Sequence, residues 1–420
     1  MNNDSVTWLL LAIPAFCFGY PFVMAWYWMV GGAVFHWVRD RHLPPVDQPP
    51  VLEHWPPITI LVPCYNEEDN AEETLGAALA VDYPDFEVIA INDGSRDNTA
   101  AVLNAIAARN PRLRVVHLVK NQGKATGMIV GAALAKSEIL VGIDGDALLD
   151  PHALRWIARI FVRSDLGAIT GNPRIRNRTS ILGKLQVGEF SAIVGLIKRA
   201  QASYGRLFTI SGVICAFRKQ ALADAGWWSP RTLTEDVDIS WRIQLAGWRI
   251  GYEPNAVCWI LMPETLKGLW RQRLRWAMGG SQMMLDFFWP LMRGRSLGLL
   301  PVYCEYLTSV VWSYLIMASL VLGLLHSIGV PILPQLPTFS LIPAWWGVIL
   351  TVTYLQQALI SHWLERRFER QMMVGFFWVI WYPMAFWLIS AATTVAALPL
   401  TLIRPRKERT TWVSPDRGLR

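Results

Sequence analysis

The sequence has little charge, little histidine and little cysteine. Of its 420 residues, 17% are Asp, Glu, Lys or Arg, and only seven are His and five are Cys. No two cysteines form a Cys-x-x-Cys pair, which argues against both a disulfide framework and a zinc site. Unpaired cysteines suit a domain that faces a reducing cytoplasm. The cysteines are Cys17, Cys64, Cys215, Cys258 and Cys304.

Two common nucleotide-binding motifs are also missing. The sequence has no Gly-x-Gly-x-x-Gly, so it gives little support to dinucleotide binding. It contains Gly123-Lys124, but Leu118 stands where a P-loop needs its first glycine, and Ala125 stands where a P-loop needs Ser or Thr. The formal net charge is +7, which suits an anionic membrane surface or a phosphate substrate. Outside the C-terminal tail, however, Lys and Arg form no long run, and this disfavours nucleic acid as a partner.

Apolar residues, by contrast, are abundant. They make up 53% of the chain, 22 residues are Trp, and the mean hydropathy is +0.28. Tryptophan concentrates at bilayer interfaces, so the composition predicts a membrane protein. Residues 6–38 are long enough for one tilted span or for two short passes broken near Gly19. Arg39 and Arg41 follow, and they predict a cytoplasmic end for this segment.

Three later apolar segments predict further crossings. Residues 301–326 and 341–363 are each long enough to span, and the uncharged loop 327–340 between them is predicted to be periplasmic. Residues 372–403 contain Pro383 and permit either one crossing or a hairpin or re-entrant pair. The basic tail favours the cytoplasm, which one crossing would not allow.

The middle of the chain alternates short apolar strands with amphipathic helices. Strands are predicted at 58–63, 86–93, 113–119 and 138–146, and a helix follows each of the first three. This order predicts an α/β domain with a mostly parallel, doubly wound sheet. Ligands of such sheets bind beyond the carboxyl ends of the strands, where this sequence places its polar clusters.

These patterns divide the chain into six parts. They are an N-terminal membrane segment (1–43), a Pro-rich linker (44–57), a catalytic domain (58–264), amphipathic interface helices (265–298), C-terminal transmembrane helices (299–403) and a basic cytoplasmic tail (404–420).

The segment "IDGD" places Asp144 and Asp146 at the end of the fourth predicted strand. In the turn that follows, both carboxylates can converge on one ion, and Mg²⁺ prefers one or two carboxylates together with phosphate oxygens. A solvated turn is the alternative. The strand-end position favours a divalent metal site.

The segment "INDGSRDNT" follows another predicted strand. A turn here can aim Asp93 at a uracil or ribose group, although an ordinary turn with a helix N-cap suits the same composition. Asp97 or Asn98 can supply the cap and leave Asp93 available. Lys124, further along, can offer its charge to a phosphate, but a surface lysine at a helix start is equally compatible with the sequence.

The segment "QRLRW" places Gln272, Arg275 and Trp276 on one face of a helix. Arginine suits a pyrophosphate, and tryptophan offers a flat face to a sugar ring. The alternative is an anchor at the membrane interface, where both residue types are common.

The segment "TEDVD" contains three acids, Glu235, Asp236 and Asp238. A buried carboxylate near an acceptor hydroxyl can act as a general base. Alternatively, Thr234 caps a helix whose first turn carries the acids. Both hold if Asp236 points into the cleft and Asp238 points outward. Spacing alone does not rank the three acids.

Read in order, "PCYNEE", "NDGS", "IDGD", "TED" and "QRLRW" resemble the inverting, processive family 2 glycosyltransferases, which include the cellulose, chitin and hyaluronan synthases. Longer stretches such as "SGVICAFRKQAL" resemble the branch that makes poly-N-acetylglucosamine, and the similarity covers about residues 21–420. The wider family often has two aspartates before Gly-Ser; here, as in that branch, the first is Asn92. The resemblance implies a GT-A fold and a β-1,6-linked exopolysaccharide made from UDP-GlcNAc.

The resemblance also implies roles for individual residues. Asp236 would be the base with Glu235 beside it, and Asp144 and Asp146 would hold UDP and Mg²⁺ or Mn²⁺. Asp93 would contact the uridine. The remaining substrate-binding candidates are Tyr65, Glu67, Lys124, Ser211, Gly212, Gln272, Arg275 and Trp276.

The resemblance further implies a multi-pass protein of the bacterial inner membrane with a cytoplasmic catalytic domain. The growing polymer would leave through a channel between the flanking helices. A small two-helix membrane partner and control by cyclic-di-GMP through that complex are implied in the same way. Two other functions fit parts of the sequence: a polyprenyl-phosphate sugar transferase, which shares the sheet and the DxD pair, and a non-enzymatic transporter or scaffold, which gives no reason for aspartates at strand ends.

Overall fold

The structure is a computed structural model that describes residues 3–163, 165–330, 345–369, 386–404 and 410–411. One eight-stranded sheet forms its centre, with helices on both faces and long apolar helices to one side. The strands are β1 (Ile58–Cys64), β2 (Phe86–Asn92), β3 (Leu113–His117), β4 (Ile139–Ile143), β5 (Leu148–Leu149), β6 (Leu166–Ile175), β7 (Ile214–Arg218) and β8 (Arg249–Ile260).

The helices that cover and flank the sheet vary widely in length. They are α1 (Asn3–Val38), α2 (Ala71–Leu79), α3 (Thr99–Ala107), α4 (Lys124–Leu134), α5 (Ala153–Arg163), α6 (Ile181–Phe190), α7 (Lys198–Tyr204), α8 (Lys219–Asp224), α9 (Glu235–Leu245), α10 (Leu266–Met292), α11 (Leu300–Ser327), α12 (Trp345–Glu365) and α13 (Leu388–Ile403). A π-helical segment, Ser191–Ile197, joins α6 to α7 without a break.

The strand order is β3-β2-β1-β4-β7-β6-β8-β5. The pairs β1–β2, β1–β4, β2–β3 and β6–β8 are parallel, and the pairs that involve β7 or β5 are antiparallel. The chain starts in the middle of the sheet at β1, moves outward through β2 and β3, and returns to the other side of β1 as β4. This reversal opens a crevice beyond the carboxyl ends of β1 and β4. The four predicted strands and the mostly parallel sheet are confirmed.

Burial explains why β1 lacks an alternating pattern. All seven of its residues are buried, because helices cover both faces of the sheet. Ile60 and Val62 pack into the core on one face, and Leu61 packs into the core on the other. The sheet is therefore a stiff platform from which the strand-end loops project.

The long apolar helices beside the sheet, which include α1, α11 and α12, are only partly as predicted. Residues 6–38 lie in a single helix, α1, that continues through Pro14 and Pro21. Two segments of the described chain are long and apolar enough to cross a bilayer, Ala12–His42 and Leu297–Ser327. The predicted span 341–363 corresponds to α12, which is not one of these two. Most of loop 327–340, the first part of 372–403 and most of the tail 404–420 lie outside the described residues.

A buried cluster of ion pairs joins these helices to the sheet. Arg199 of α7 binds Asp40, which follows α1, at 2.7 Å, and it also pairs with Glu365 at the end of α12. Arg174 of β6 pairs with the same Glu365 and with Glu369 at 3.0 Å. The side chains of Arg199, Asp40 and Glu365 are at most 1% exposed. The cluster therefore ties both ends of the chain to the catalytic platform.

Candidate active site

The loops that follow β1 and β2 form one rim of the crevice. The backbone N–H of Asn66 donates to Ser95 Oγ at 3.0 Å, and Asn66 Oδ1 accepts the N–H of Arg96 at 2.9 Å. Asn66 holds a left-handed conformation with φ 54°, which asparagine tolerates better than most residues. Asn92 Oδ1 in turn accepts the N–H of Ser95 at 3.1 Å. The motifs "PCYNEE" and "NDGS" are thus locked to each other.

Asp93 lies at the base of this rim and is fully buried. Its two carboxylate oxygens accept the N–H groups of Gln122 and Gly123, each at 2.8 Å. Burial raises the pKa of Asp93, and the two amide donors oppose that rise. In the structure Asp93 therefore anchors the loop that leads to Lys124, and its predicted contact with uridine remains a prediction.

Lys124, the first residue of α4, is the centre of the site. Its Nζ lies 2.5 Å from Asp144 Oδ1 and 3.2 Å from Glu235 Oε1. It also donates to the carbonyl of Gly212 at 2.9 Å. Its side chain is only 16% exposed, so it is not a surface lysine. The ammonium group of Lys124, at the start of α4, thereby connects the end of β4 with the start of α9.

The charges around Lys124 shift one another's proton affinity. Burial alone would lower the pKa of Lys124, but the carboxylates of Asp144 and Glu235 outweigh it and raise that pKa. Burial would raise the pKa of Glu235, yet the Lys124 ammonium holds it below its usual value. For Asp236, burial and then the neighbouring charge of Glu235 raise the pKa above that of an ordinary aspartate. A buried carboxylate with a raised pKa is a suitable proton acceptor.

Asp236 faces a loop formed by residues 209–212. Its Oδ2 accepts the N–H of Gly212 at 3.2 Å, and a Cβ placed on Gly212 would lie 3.1 Å from both Asp236 Oδ2 and Lys124 Nζ. Only glycine leaves this space open between the base candidate and the lysine. The neighbouring Ser211 is half-buried, and its N–H donates to Thr170.

Two expectations for the acidic motif are wrong. Asp238 does not point outward: it is 5% exposed and pairs with Arg242 at 2.7 Å, one turn later on α9. Thr234 precedes the helix but makes no side-chain capping bond. It packs instead under α10, where a Cβ on Gly279 would come within 2.1 Å of Thr234 Oγ1. Asp236 therefore faces the cleft and Asp238 pairs along α9, so these acids do not form a solvated helix cap.

The remaining strand-end acids lie beside this centre. Asp146 is 8% exposed and Asp144 is half-buried, two positions apart after β4. Glu67 is 1% exposed, and a Cβ on Gly145 would touch its side chain at 3.1 Å. Tyr65 is half-buried on the same loop. No group of three or more His, Cys, Asp or Glu residues forms a ready metal cage in the part of the chain that is described.

Helix α10 supplies the far wall. Gln272 Nε2 lies 3.9 Å from Met262 Sδ, while its Oε1 is buried with no hydrogen-bond partner among the described residues. Arg275 is exposed, and its charge lowers the pKa of both Glu235 and Asp236. Trp276 is 36% exposed. These placements leave Arg275 and Trp276 accessible to a ligand, whereas Gln272 is half-buried.

Three contacts of the site had no signal in the sequence motifs. Arg273, between the motif residues of α10, pairs with Glu189 of α6 at 2.5 Å. Lys198 and Thr170 support the 209–212 loop from behind. Thr410 binds the carbonyl of Pro230 at 2.8 Å and lies so close to Gly123 that a Cβ there would meet its carbonyl oxygen at 2.0 Å. Each contact joins segments far apart in the chain, which local patterns do not reveal.

Comparison with known proteins assigns this arrangement to a family. Residues 56–279 match the family described as glycosyltransferase like family 2. The chain belongs to this family. It is therefore a glycosyltransferase, and membership supports an inverting reaction.

Relatives of known name align with this glycosyltransferase over nearly its full length. It is 37% identical over 406 residues to a poly-beta-1,6-N-acetyl-D-glucosamine synthase of Staphylococcus epidermidis, with 95% of this chain and 97% of the relative covered. It is 38% identical over 403 residues to the synthase of the same name from Staphylococcus aureus, with the same coverage.

A solved structure supports the fold. A mannosyltransferase from Pyrobaculum calidifontis, in complex with GDP-Man and Mn²⁺, superposes with a TM-score of 0.64 at 19% identity. The alignment covers 94% of this chain and 98% of that one. The predicted GT-A fold is thus confirmed.

Proposed function

We propose that this glycosyltransferase polymerises N-acetylglucosamine from UDP-GlcNAc into a β-1,6-linked chain. The observation that carries the proposal is the cluster around Lys124, whose ammonium group binds both Asp144 at the end of β4 and Glu235 at the start of α9, next to Asp236. A donor-binding end and a base therefore meet in one cleft. The two staphylococcal relatives, aligned over 95% of the chain, support the choice of sugar and linkage.

The proposed reaction needs only one proton acceptor. The 6-hydroxyl oxygen of the acceptor sugar attacks the anomeric carbon of the donor from the face opposite UDP. As the new C–O bond forms, the bond from that carbon to the phosphate oxygen breaks, and UDP leaves with the electron pair. Asp236 takes the hydroxyl proton, for which its half-buried position at the cleft and its raised pKa suit it. A single displacement converts the α-linked donor into a β-linked product.

The residues around Asp236 would position the two substrates. Gln272 and Trp276 would contact the acceptor end, where the exposed ring of Trp276 offers a face to the sugar. Arg275 would bind the pyrophosphate, and Lys124 would keep Asp144 and Glu235 in place. Ser211 and Gly212 would border the acceptor sugar.

The donor set also fits a divalent metal. Asp144 and Asp146 offer hard carboxylate oxygens at one strand end, and Mg²⁺ or Mn²⁺ in such sites takes one or two carboxylates and completes its shell with phosphate oxygens and water. When bound, the ion would offset the negative charge that develops on the UDP leaving group. We expect chelation with EDTA to stop synthesis and added Mg²⁺ or Mn²⁺ to restore it.

A cavity between the membrane-side helices supports a path for the product. It measures about 260 Å³ and is lined by α1, the α6 and π segments, α11, α12 and α13. Its wall contains both aromatic side chains and hydroxyl or amide groups, which suits sugar rings with polar edges. The aromatic members are Tyr20, Trp28, Trp312, Tyr354 and Trp387. We infer that the protein spans a bacterial inner membrane at these helices and that its catalytic domain lies in the cytoplasm.

The family resemblance adds two partners to this proposal. One is a small two-helix membrane subunit, and the other is cyclic-di-GMP, acting through the complex. Exposed apolar residues of α1 such as Trp26 and Trp37 offer a surface for lipid or for such a subunit. Copurification from the native membrane, with and without cyclic-di-GMP in the activity assay, tests both.

The test of the function is a donor-sugar assay with linkage analysis. Membranes that contain the protein should convert radiolabelled UDP-GlcNAc into a polymer whose linkages are β-1,6. A lipid-soluble monosaccharide as the only product would favour a polyprenyl-phosphate sugar transferase instead. A polymer with another linkage would keep the enzyme class and overturn the stated product.

A further inference from the structure

Lys198 is a buried cation that none of the proposed roles uses. It is 6% exposed and is the first residue after the π-helical segment. Its Nζ donates to Thr170 Oγ1 at 3.2 Å and to the carbonyl of Thr209 at 3.1 Å. Burying a lysine is costly unless its charge and its donors are satisfied, so these contacts define a specific position for it.

Thr170 extends this contact into the active site. It lies on β6, is fully buried, and its Oγ1 also accepts the N–H of Ser211 at 2.8 Å. The next residue, Gly212, donates its N–H to Asp236 Oδ2 and accepts Lys124 Nζ with its carbonyl. Lys198 is therefore connected to the proposed base through its hydrogen bond to Thr170, the hydrogen bond of Thr170 to the Ser211 backbone, and the next backbone N–H, that of Gly212.

The 209–212 loop is fixed on its other side by α9. The N–H of Ile210 donates to Ser240 Oγ at 2.9 Å, and that hydroxyl donates to the carbonyl of Asp236 at 2.6 Å. The loop has no regular secondary structure to hold it apart from one isolated bridge, Ser211 to Ile214. Its placement in the described structure therefore rests largely on side chains behind it and beside it.

The π-helical segment explains how one helix reaches both this loop and the membrane side. Ile193 and Ile197 line the membrane-side cavity, while the following residue, Lys198, points to the sheet. Successive residues of a helix are turned by about 100°, and a π segment adds a residue that shifts the faces relative to an unbroken α-helix. Such segments are frequent at functional sites.

We propose that Lys198 and Thr170 are positioning residues that hold the 209–212 loop against Asp236 and Lys124, and so set the orientation of the base toward the acceptor hydroxyl. The proposal rests on the proposed role of Asp236 as the base. Neither residue is among those proposed to contact the donor or the acceptor, and both are buried behind the loop. Their loss should therefore reduce turnover more than donor binding.

The charge of Lys198 supports this position. Burial lowers the pKa of Lys198 to about 8, and the negative charge of Asp236 opposes that fall. The ammonium form still predominates at neutral pH, so Lys198 contributes both its donors and a positive charge behind the loop.

The test compares isosteric changes at two buried threonines in the full-length enzyme in membranes. Thr170→Val removes the hydroxyl that binds Ser211, and Thr170→Ser keeps it. Thr59→Val is the matched control, because Thr59 is also fully buried on a strand and donates to Glu87 at 2.9 Å, at the end of β1 away from the site. Lys198→Met is compared with Lys219→Met as its control. Among the described residues, the ammonium group of Lys219 donates only to the carbonyl of Ala135, at 2.9 Å.

We expect Thr170→Val and Lys198→Met to lower kcat by about 10- to 100-fold, because small displacements of catalytic groups have effects of this size. The KM for UDP-GlcNAc should stay within about twofold, Thr170→Ser should recover most of the rate, and both control variants should retain it. UDP binding and thermal stability, measured on every variant, separate misplacement from misfolding. If Lys198→Met fails to fold, the Thr170 pair decides.

Equal kcat values for Thr170→Val and Thr59→Val would overturn the proposal, as would a loss in Thr170→Val that appears only in KM. Asp236→Asn, assayed in parallel, distinguishes a failure of the base assignment from a failure of the positioning role. If Asp236→Asn still makes polymer, the base assignment fails; if it is inactive while Thr170→Val behaves as its control, only the positioning role fails.

Discussion

The strand-end side of the site and the membrane side are held together by contacts of very different sequence separation. On the strand-end side, Lys124 and Asp144 are 20 positions apart, and Asn66 and Ser95 are 29 apart. On the membrane side, Arg199 binds a residue 159 positions away, and Arg174 binds one 191 positions away. The first region is built mainly by consecutive β-α units, to which α9 adds Glu235 at the Lys124 ammonium. In the second region, acids that follow α1 and end α12 pair with arginines of α7 and β6. The chemistry therefore depends on the first, and the integrity of the assembly depends on the second.

The largest effect is expected from Lys124→Met on the strand-end side. The change leaves the half-buried Asp144 and Glu235 without their shared cation and frees the Gly212 carbonyl. We expect the initial rate of polymer synthesis to fall by about 100-fold or more, as for the loss of other preorganised electrostatic groups. Lys120→Met, on the same loop but exposed, is the control and should keep its rate. Equal rates for the two variants would remove Lys124 from the centre of the site.

On the membrane side, Glu365→Gln should act on stability first. Both Arg199 and Arg174 would lose the charge that they share, and breaking a buried pair costs about 3–5 kcal/mol. We expect a clear drop in the temperature of thermal inactivation in membranes. Glu72→Gln breaks the exposed pair with Arg109, whose side chains are 78% and 65% exposed, and should cost less than about 1 kcal/mol. Similar inactivation temperatures for both variants would contradict the structural role of the cluster.

Gly279→Ala tests the contact between α10 and Thr234, the residue that precedes the two acids of the site. The added Cβ would lie 2.1 Å from Thr234 Oγ1, directly before Glu235 and Asp236. Overpacking of this kind costs about 1–3 kcal/mol, and here it should displace the acidic motif and reduce the rate. Thr234→Ala in the same chain should restore part of the rate by making room. Gly76→Ala, in α2 with nothing within 4 Å, should instead stabilise the protein by about 0.5–1 kcal/mol.

The smallest effect is a shift in pH dependence. Asp236 acts as a base only when deprotonated, and burial followed by the charge of Glu235 raises its pKa above the usual 3.8. The rate should therefore fall as the pH drops through a value higher than that of an ordinary aspartate. Glu235→Gln removes the like charge, lowers the pKa of Asp236 and should move this acid limb to lower pH. A shift to higher pH would show that another group controls it.

Much of the strand-end region was predictable because its signals are local. Four apolar strands, each followed by polar residues, were enough to predict the parallel sheet and the edge at which Asp93, Asp144 and Asp146 meet. The order of the motifs was enough to predict the family. What the motifs left open was the position of Lys124, because a lysine at a helix start is as compatible with solvent as with a carboxylate cluster.

The errors also have physical causes. An acid in a first helical turn usually faces outward, but the side chain of Asp238 is buried and pairs with the partly exposed Arg242, four positions later on α9. Thr234 stands at the N-cap position that the alternative interpretation gave it, but it makes no capping bond, and Gly279 of α10 lets it pack against that helix instead. The sequence contains no recognisable pattern for the π-helical segment or for the buried Lys198 that follows it, because a π segment differs from an α-helix by only one residue of register. All three features depend on long-range packing or on a partner that the local motif does not include.

The most direct measurement is polymer synthesis by Asp236→Asn at saturating UDP-GlcNAc, with UDP binding measured on the same membranes. Asparagine keeps the shape of the side chain but cannot take a proton from the acceptor hydroxyl. We expect UDP binding close to that of the wild type and synthesis lower by about 10²- to 10⁴-fold, the usual contribution of a general base. Polymer formation at the wild-type rate would contradict the assignment of Asp236 and, with it, the proposed mechanism.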